Sequence, residues 1–127
     1  MLKIFYVGIG GFIGSALRYI VSVQAPKFLG TQLPYGTLIV NVAGGILTGL
    51  IMEISLATHF ISPNFRLFLV TGIMGGFTTF STFSYETINF FVSGNHILGL
   101  LNACLNLLLS LGGVILGKFA SHIFIDA

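Results

Sequence analysis

Four apolar stretches, each long enough to cross a bilayer as a helix, occupy almost all of this 127-residue chain. About 20 mostly apolar helical residues span the hydrocarbon of a membrane. The first stretch runs from about Leu2 to Val23, the second from about Tyr35 to Leu56, the third from about Phe65 to Val92 and the last from about His96 to Phe124. Turn-forming residues separate them: Pro26, Lys27, Gly30 and Pro34, then His59, Ser62, Pro63 and Asn64, then Ser93-Gly94-Asn95. The pattern predicts an all-α membrane protein, one four-helix transmembrane domain over residues 1–127, with function confined to the membrane part. Hydrophobic residues make up 55% of the chain and charged residues 6%. A water-soluble domain of this size covers itself with about one charged residue in four, and lipid is the solvent that removes that requirement.

Several function classes drop out. Lys3 precedes an apolar stretch, as in a signal peptide, but no small-x-small cleavage site follows and the stretch carries Arg18-Tyr19. It reads as the first membrane helix. Five bases against three acids form no basic patch with interleaved aromatics, so no nucleic acid partner is expected. Cys104 lies in an apolar run without ligand-like neighbours and reads as a packed small hydrophobe. His59, His96 and His122 fall at helix ends with no metal-ligand spacing. No Ser/His/Asp, metal or nucleotide arrangement argues for an enzyme.

Orientation is normally set by an excess of Lys and Arg on the cytoplasmic side. Four spans put Lys3, Arg66 and Lys118 on one side and Arg18 and Lys27 on the other. Three against two is a weak bias. It suits a chain that inserts both ways and forms an antiparallel, dual-topology homodimer; a single orientation fixed by Lys3 or by a partner remains the alternative. Every span holds a small-xxx-small pair, namely Gly10/Gly14, Gly45/Gly49, Gly72/Gly76 and Gly113/Gly117. Such pairs allow backbones to approach closely. Four helices of this length enclose little space for a pore, which again points to oligomerisation.

Polar residues in lipid are expensive and tend to mark function. Thr37, Asn41, Gly45 and Thr48 share a face of the second helix; Asn102, Asn106 and Ser110 form an i, i+4, i+8 stripe on the fourth. Each stripe is either an interhelical hydrogen-bonding seam or a polar pathway. The third span carries the sharpest signal. Gly72, Gly75 and Gly76 precede Thr78-Thr79-Phe80-Ser81-Thr82-Phe83-Ser84, and glycines followed by β-branched threonines disfavour helix. The spacing predicts a helix broken within Gly75-Gly76-Phe77-Thr78-Thr79. Bare backbone at membrane depth is tolerated only when buried in protein or lining a wet cavity, and broken helices present carbonyls to cations and half-helix N-termini to anions. The segment therefore reads as an ion site, or as a hydroxyl-stabilised kink without a ligand. Phe80 and Phe83 lie on one face of the second half-helix, flanked by the hydroxyls of Thr79, Ser81, Thr82 and Ser84. Ring edges carry partial positive charge and can meet an anion; the same pair could equally face lipid or core. Arg18 is read as snorkelling to the interface from the end of the first helix, or as lending a vestibule positive potential. Glu53 marks the end of the second helix. Glu86 is either a packed carboxyl or part of a pathway.

Three motifs together resemble the Fluc (CrcB) family of microbial fluoride channels: Gly11-x-x-Gly14-Ser15-x-x-Arg18-Tyr19, Gly36-Thr37-Leu38-x-Val40-Asn41-x-x-Gly44, and Gly72-x-x-Gly75-Gly76-x-Thr78-Thr79-Phe80-Ser81-Thr82-Phe83-Ser84-x-Glu86. The resemblance covers the whole chain in length, span count and motif order. It implies a dual-topology homodimer with two antiparallel pores in the bacterial plasma (inner) membrane, a multi-pass protein embedded in the lipid bilayer that lets fluoride ion leave passively and so protects the cell. It implies Asn41 as a pore asparagine and Phe80 and Phe83 as paired pore rings; the two polar stripes and the hydroxyls after the break extend the expected fluoride pathway to Thr37, Thr79, Ser81, Thr82, Ser110, Asn106 and Asn102. It implies a structural sodium ion (Na+) at the dimer interface, held by the backbone carbonyls of Gly75 and Thr78, with Arg18 and Glu86 in vestibule or structural roles. Family members often place a Tyr and Ser residues on the fourth-helix stripe, where this chain has Asn102 and Asn106.

Fluoride is small and strongly hydrated, so amide N–H groups, hydroxyls and ring edges must replace its water, while a conducting site has to stay weak enough to release the ion. No base lies between Arg66 and Lys118, in keeping with that requirement. Two other classes compete. A proton-coupled small-molecule exporter of the small multidrug type would need a carboxylate in the first helix, and this chain has none there, so Glu86 would have to substitute. A non-transporting assembly subunit would carry no flux.

Overall fold

The computed structural model describes all 127 residues, Met1–Ala127, as helices joined by short turns. Helix α1 spans Leu2–Leu29 and α2 spans Tyr35–Ala57. The third span is assembled from α3 (Pro63–Arg66), a π-helical segment (Leu67–Met74), α4 (Gly75–Phe77) and α5 (Phe80–Val92), and α6 covers His96–Ile125. Four helical spans are thus long and apolar enough to cross a membrane, the third of them broken midway.

The first span is longer than the sequence suggested. Pro26 and Lys27 belong to the last turns of α1 rather than to a linker. Proline's fixed φ is compatible with helix, and its missing N–H forfeits a single bond to the preceding turn. The true terminator is Gly30, whose φ of 87° only glycine adopts freely and whose N–H bonds to the Pro26 carbonyl at 3.0 Å. The other ends follow local chemistry. Ser62 caps α3, its hydroxyl accepting from the Phe65 N–H at 3.2 Å with Pro63 at the first helical position. A Schellman turn closes α5, with Asn95 N–H to Phe90 O at 2.8 Å, Gly94 N–H to Phe91 O at 3.2 Å and Gly94 at φ 86°.

The break is narrower than expected and falls on the two threonines of the predicted segment, not on its glycines. Gly75 stays helical, at φ −61° and ψ −39°, and Gly76 lies within α4. Only Thr78 (φ −83°, ψ 160°) and Thr79 (φ −152°, ψ 118°) are extended, the region β-branched side chains favour. The glycines serve packing instead. A Cβ on Gly76 would lie 2.6 Å from the Gly11 carbonyl, and one on Gly14 would overlap the Ile73 carbonyl. Gly10 and Gly14 of α1 thus face Gly72 and Gly76 across one seam, while Gly45 and Gly49 of α2 face Gly113 and Gly117 of α6 across another. All four small-xxx-small pairs are consumed within the chain.

Those two seams are its main contacts: α1 lies along the first half of the third span, and α2 along α6. The half-helix α5 rests chiefly on α6. Only Ala25, Leu33, Val40 and Met74 are buried apolar side chains. Close backbone approach, not a jigsaw of large side chains, holds the helices, as expected where lipid is as apolar as leucine.

Candidate functional site

Extending Thr78 and Thr79 removes their backbone groups from the helical ladder, and in a membrane each such group needs a partner. Thr79 finds both of its partners on one side chain. Its N–H donates to Asn41 Oδ1 at 2.8 Å, and its carbonyl accepts from Asn41 Nδ2 at 3.1 Å. The Thr79 hydroxyl in turn accepts from the Thr82 N–H at 3.2 Å and caps α5. Thr78 sends its N–H (3.0 Å) and its hydroxyl (2.9 Å) to the Met74 carbonyl, and its methyl group fills the space over Gly44, where a Cβ would overlap it. The carbonyls of Gly75 and Thr78 accept no hydrogen bond from the chain.

Arg18 reaches the break. Its Nε donates to the Gly76 carbonyl at 3.0 Å, placing a cation at the C-terminal end of the first half-helix, where the helix dipole favours positive charge. Gly11, Gly14, Ser15 and Arg18 share one face of α1, so the face that forms the glycine seam also carries the guanidinium to the break.

Asn41 also reaches across to α6: its Nδ2 donates to Asn106 Oδ1 at 3.0 Å. Asn106 Nδ2 donates to the Asn102 carbonyl at 3.0 Å and to Asn102 Oδ1 at 3.3 Å. Asn102 Nδ2 donates to Thr87 Oγ1 at 2.9 Å, and the Thr87 hydroxyl donates to the Phe83 carbonyl at 2.7 Å. Asn102 is 2% exposed and Asn106 4%. Both stripes singled out in the sequence therefore meet. Thr87 was not singled out; its position four residues after Phe83 and eight after Thr79 was the available signal.

Two cavities flank Thr79. A groove of about 620 Å³ between α2, α5 and α6 is lined by Asn41, Thr78, Thr79, Phe80, Phe83, Asn106 and Ser110 among others, and none of its lining residues is charged. The rings of Phe80 and Phe83 sit 5.5 Å apart, tilted by 55°, and Phe80 is 79% exposed. The Ser110 hydroxyl is buried at this groove without a hydrogen-bond partner in the chain. On the other side, a crevice of about 270 Å³ is lined by Ser15, Arg18, Tyr19, Ser22, Thr37, Thr79 and Thr82. Ser81 is exposed, its hydroxyl 3.4 Å from that of Thr79. Thr37 donates to Glu86 Oε1 at 2.6 Å, and Glu86 faces a third cleft with Asn89, Ser93 and Asn95. Thr37, Thr79, Thr82 and Arg18 are thus brought together on one side of the break, and Asn41, Phe80, Phe83, Asn106 and Ser110 on the other. Asn102 is buried and lines neither cavity, and Glu86 makes no ion pair with Arg18.

Comparison with known proteins gives a consistent result. The family model described as CrcB-like protein, Camphor Resistance (CrcB), matches residues 5–118. A relative from Clostridium novyi (strain NT), named fluoride-specific ion channel FluC, is 58% identical over 112 residues, 88% of each chain. A relative of the same name from Clostridium perfringens (strain 13 / Type A) is 52% identical and covers 97% of this chain and 96% of its own. Another from Shewanella amazonensis, again of that name, is 43% identical, covering 93% of this chain and 94% of its own.

Proposed function

The chain belongs to the CrcB-like family, and from that premise we propose that it is a fluoride-selective channel, a passive exporter in the bacterial inner membrane that protects the cell from fluoride. It is a multi-pass membrane protein of a channel family, not an enzyme. The observation that carries the reading is the uncharged groove beside the break, whose lining includes the Phe80 and Phe83 rings and Ser110, with its unpaired hydroxyl. Ring edges and hydroxyls attract a small anion, and the lack of a fixed cation leaves the site weak enough to release it. Thr79, Ser81 and Thr82 supply further hydroxyls at the capped end of α5. Arg18, at the crevice opposite, draws anions toward the break without entering the groove.

The working unit is an antiparallel homodimer with two pores. The groove is open along one side, and an exposed Phe80 beside polar lining suits contact with a second copy better than contact with lipid. Gly75 is exposed as well. Its carbonyl and that of Thr78 are unclaimed by the chain, the donor type a dehydrated sodium ion takes. Two carbonyls from each of two copies would hold that ion at the interface, where it supplies positive charge to pin four carbonyl dipoles together. The flanking bases stand three to two, Lys3, Arg66 and Lys118 against Arg18 and Lys27, too small a bias to fix one orientation. Dual insertion therefore rests on the open face and the family, more than on charge count.

The test is fluoride efflux from liposomes containing the purified protein alone. Fluoride is expected to leave electrogenically while chloride stays. Phe80→Ile and Phe83→Ile are expected to slow efflux at least about tenfold, equivalent to ~1.4 kcal/mol on the barrier, with the dimer intact by size-exclusion chromatography. Equal release of both halides overturns selectivity, and unchanged flux in both variants removes the rings from the path.

A further inference from the structure

The two asparagines of α6 do a different job from the one their position on a polar stripe suggests. From the Thr79 N–H, each polar group donates to the next: Asn41, Asn106, Asn102, Thr87 and finally the Phe83 carbonyl. Both N–H bonds of Asn41 are used, on the Thr79 carbonyl and Asn106 Oδ1. Both of Asn106 are used on Asn102. Neither amide has a hydrogen to offer an anion without breaking the line. The line is also closed geometrically. It starts at the cap of α5 and returns to α5 eight residues later, about 12 Å along the helix. The Asn102–Thr87 bond is the one side-chain hydrogen bond between α5 and α6, and Phe80 and Phe83 lie between the two anchor points.

We propose that Thr87 and Asn102 are positioning residues: with Asn106 and Asn41 they form a buried amide relay that fixes the slide and rotation of α5, and so the placement of the Phe80–Phe83 ring pair in the groove. This rests on the channel reading above, which it deepens. Buried networks in low dielectric reinforce each bond and specify one arrangement, and a half-satisfied network is costly. Beyond the Thr37–Glu86 bond to α2, a 13-residue half-helix leaning mainly on one neighbour has few other constraints on its rotation. The relay supplies them from both ends.

A para-fluorinated ring installed at Phe83 reports on ring placement by its fluorine-19 resonance, independently of any transport. Thr87→Val keeps the shape and removes the hydroxyl. It is expected to move that resonance and to slow fluoride efflux about tenfold, the scale of one lost buried hydrogen bond. Thr87→Ser restores both. Because the residue acts through the two rings, adding Thr87→Val to a protein that already carries both Phe80→Ile and Phe83→Ile is expected to slow efflux no further. A resonance that stays in place in Thr87→Val overturns the proposal, and so does a further flux loss when Thr87→Val is added to the variant lacking both rings. Should Thr87→Val not assemble, Asn102→Ser, too short to reach Thr87, takes its place with the same readings. If the unsubstituted protein carries no fluoride, the channel reading falls and the resonance alone decides the relay.

Discussion

The two halves of the third span are held by opposite means. The first half, up to Phe77, lies against α1 along a seam of glycines with carbonyls at van der Waals distance, and one side chain, that of Arg18, bonds across it. The second half, α5, has no such seam. Side-chain hydrogen bonds from Asn41, Asn102 and Thr37 fix it, and it turns hydroxyls and phenyl rings toward open space. The seam works by the absence of side chains and admits almost no substitution. The polar ties work by particular donors and acceptors, so they can be weakened one at a time. Rigidity on one side of Thr78–Thr79 and adjustable placement on the other is what a site needs when its backbone must be fixed and its side chains must meet an ion.

The harshest way to break this comparison is Gly14→Leu. Its Cβ would fall on the Ile73 carbonyl, and backbone on both sides leaves nothing flexible to yield. Overpacking a well-fitted core costs typically 1–3 kcal/mol, and about 3 kcal/mol or more is expected here. The expected outcome is loss of the folded species after detergent extraction, read by size-exclusion chromatography. A Gly14→Leu protein that elutes and conducts like the parent would show that the seam is not what holds the first half.

Asn41→Leu probes the second half, with a smaller expected effect on folding. It strands the N–H and carbonyl of Thr79, each a buried backbone group worth ~1–3 kcal/mol when unpaired, while both glycine seams remain. The protein is expected to assemble, with its thermal midpoint lowered and fluoride efflux down by about a hundredfold, or ~2.7 kcal/mol on the barrier. Unimpaired efflux would mean that the break keeps its shape without Asn41, and the contrast between the halves would then lose its basis.

How much of this was legible in the sequence depended on the range of the interaction. Span number and approximate ends follow from apolar length, and the turns at Ser62-Pro63 and Gly94 from local chemistry. That the break lies near Thr78–Thr79 was legible too. Which of its residues leave the helix was not. Helix propensity counts Gly75 and Gly76 with the two threonines, yet the seam with α1 rewards glycine inside a helix, a contact between residues some 60 apart in the chain. The partner of Arg18 was hidden for the same reason: its end-of-span position suggests snorkelling or a vestibule charge, and the acceptor it bonds is a carbonyl set free 58 residues later. The α6 stripe was visible at i, i+4, i+8, but periodicity does not tell a pathway from a seam. That distinction needs the donors counted against acceptors on α2 and α5. The π-helical turn at Leu67–Met74 has no sequence signal that we can name.

A polar contact at the membrane edge should behave differently from those at the break, and Lys118→Gln sharpens that point with the smallest expected effect. Lys118 Nζ lies 3.3 Å from Glu53 Oε2, one residue past the Gly117 end of the α2–α6 seam, and both side chains are partly exposed, 55% and 33%. Solvent screens such a pair, and ordering two long side chains offsets much of its Coulomb gain, so its worth is at most about 1 kcal/mol. Lys118→Gln is therefore expected to lower the thermal midpoint slightly at low salt, to leave it unchanged at high salt where the pair is already screened, and to leave fluoride efflux unaltered. A drop as large as that of Asn41→Leu, persisting in high salt, would mean that the α2–α6 seam depends on this ion pair after all. The glycines at Gly45, Gly49, Gly113 and Gly117 would then be permitting an approach that charge enforces, and the division between a seam built from backbone and a half-helix tied by side chains would hold for the third span alone.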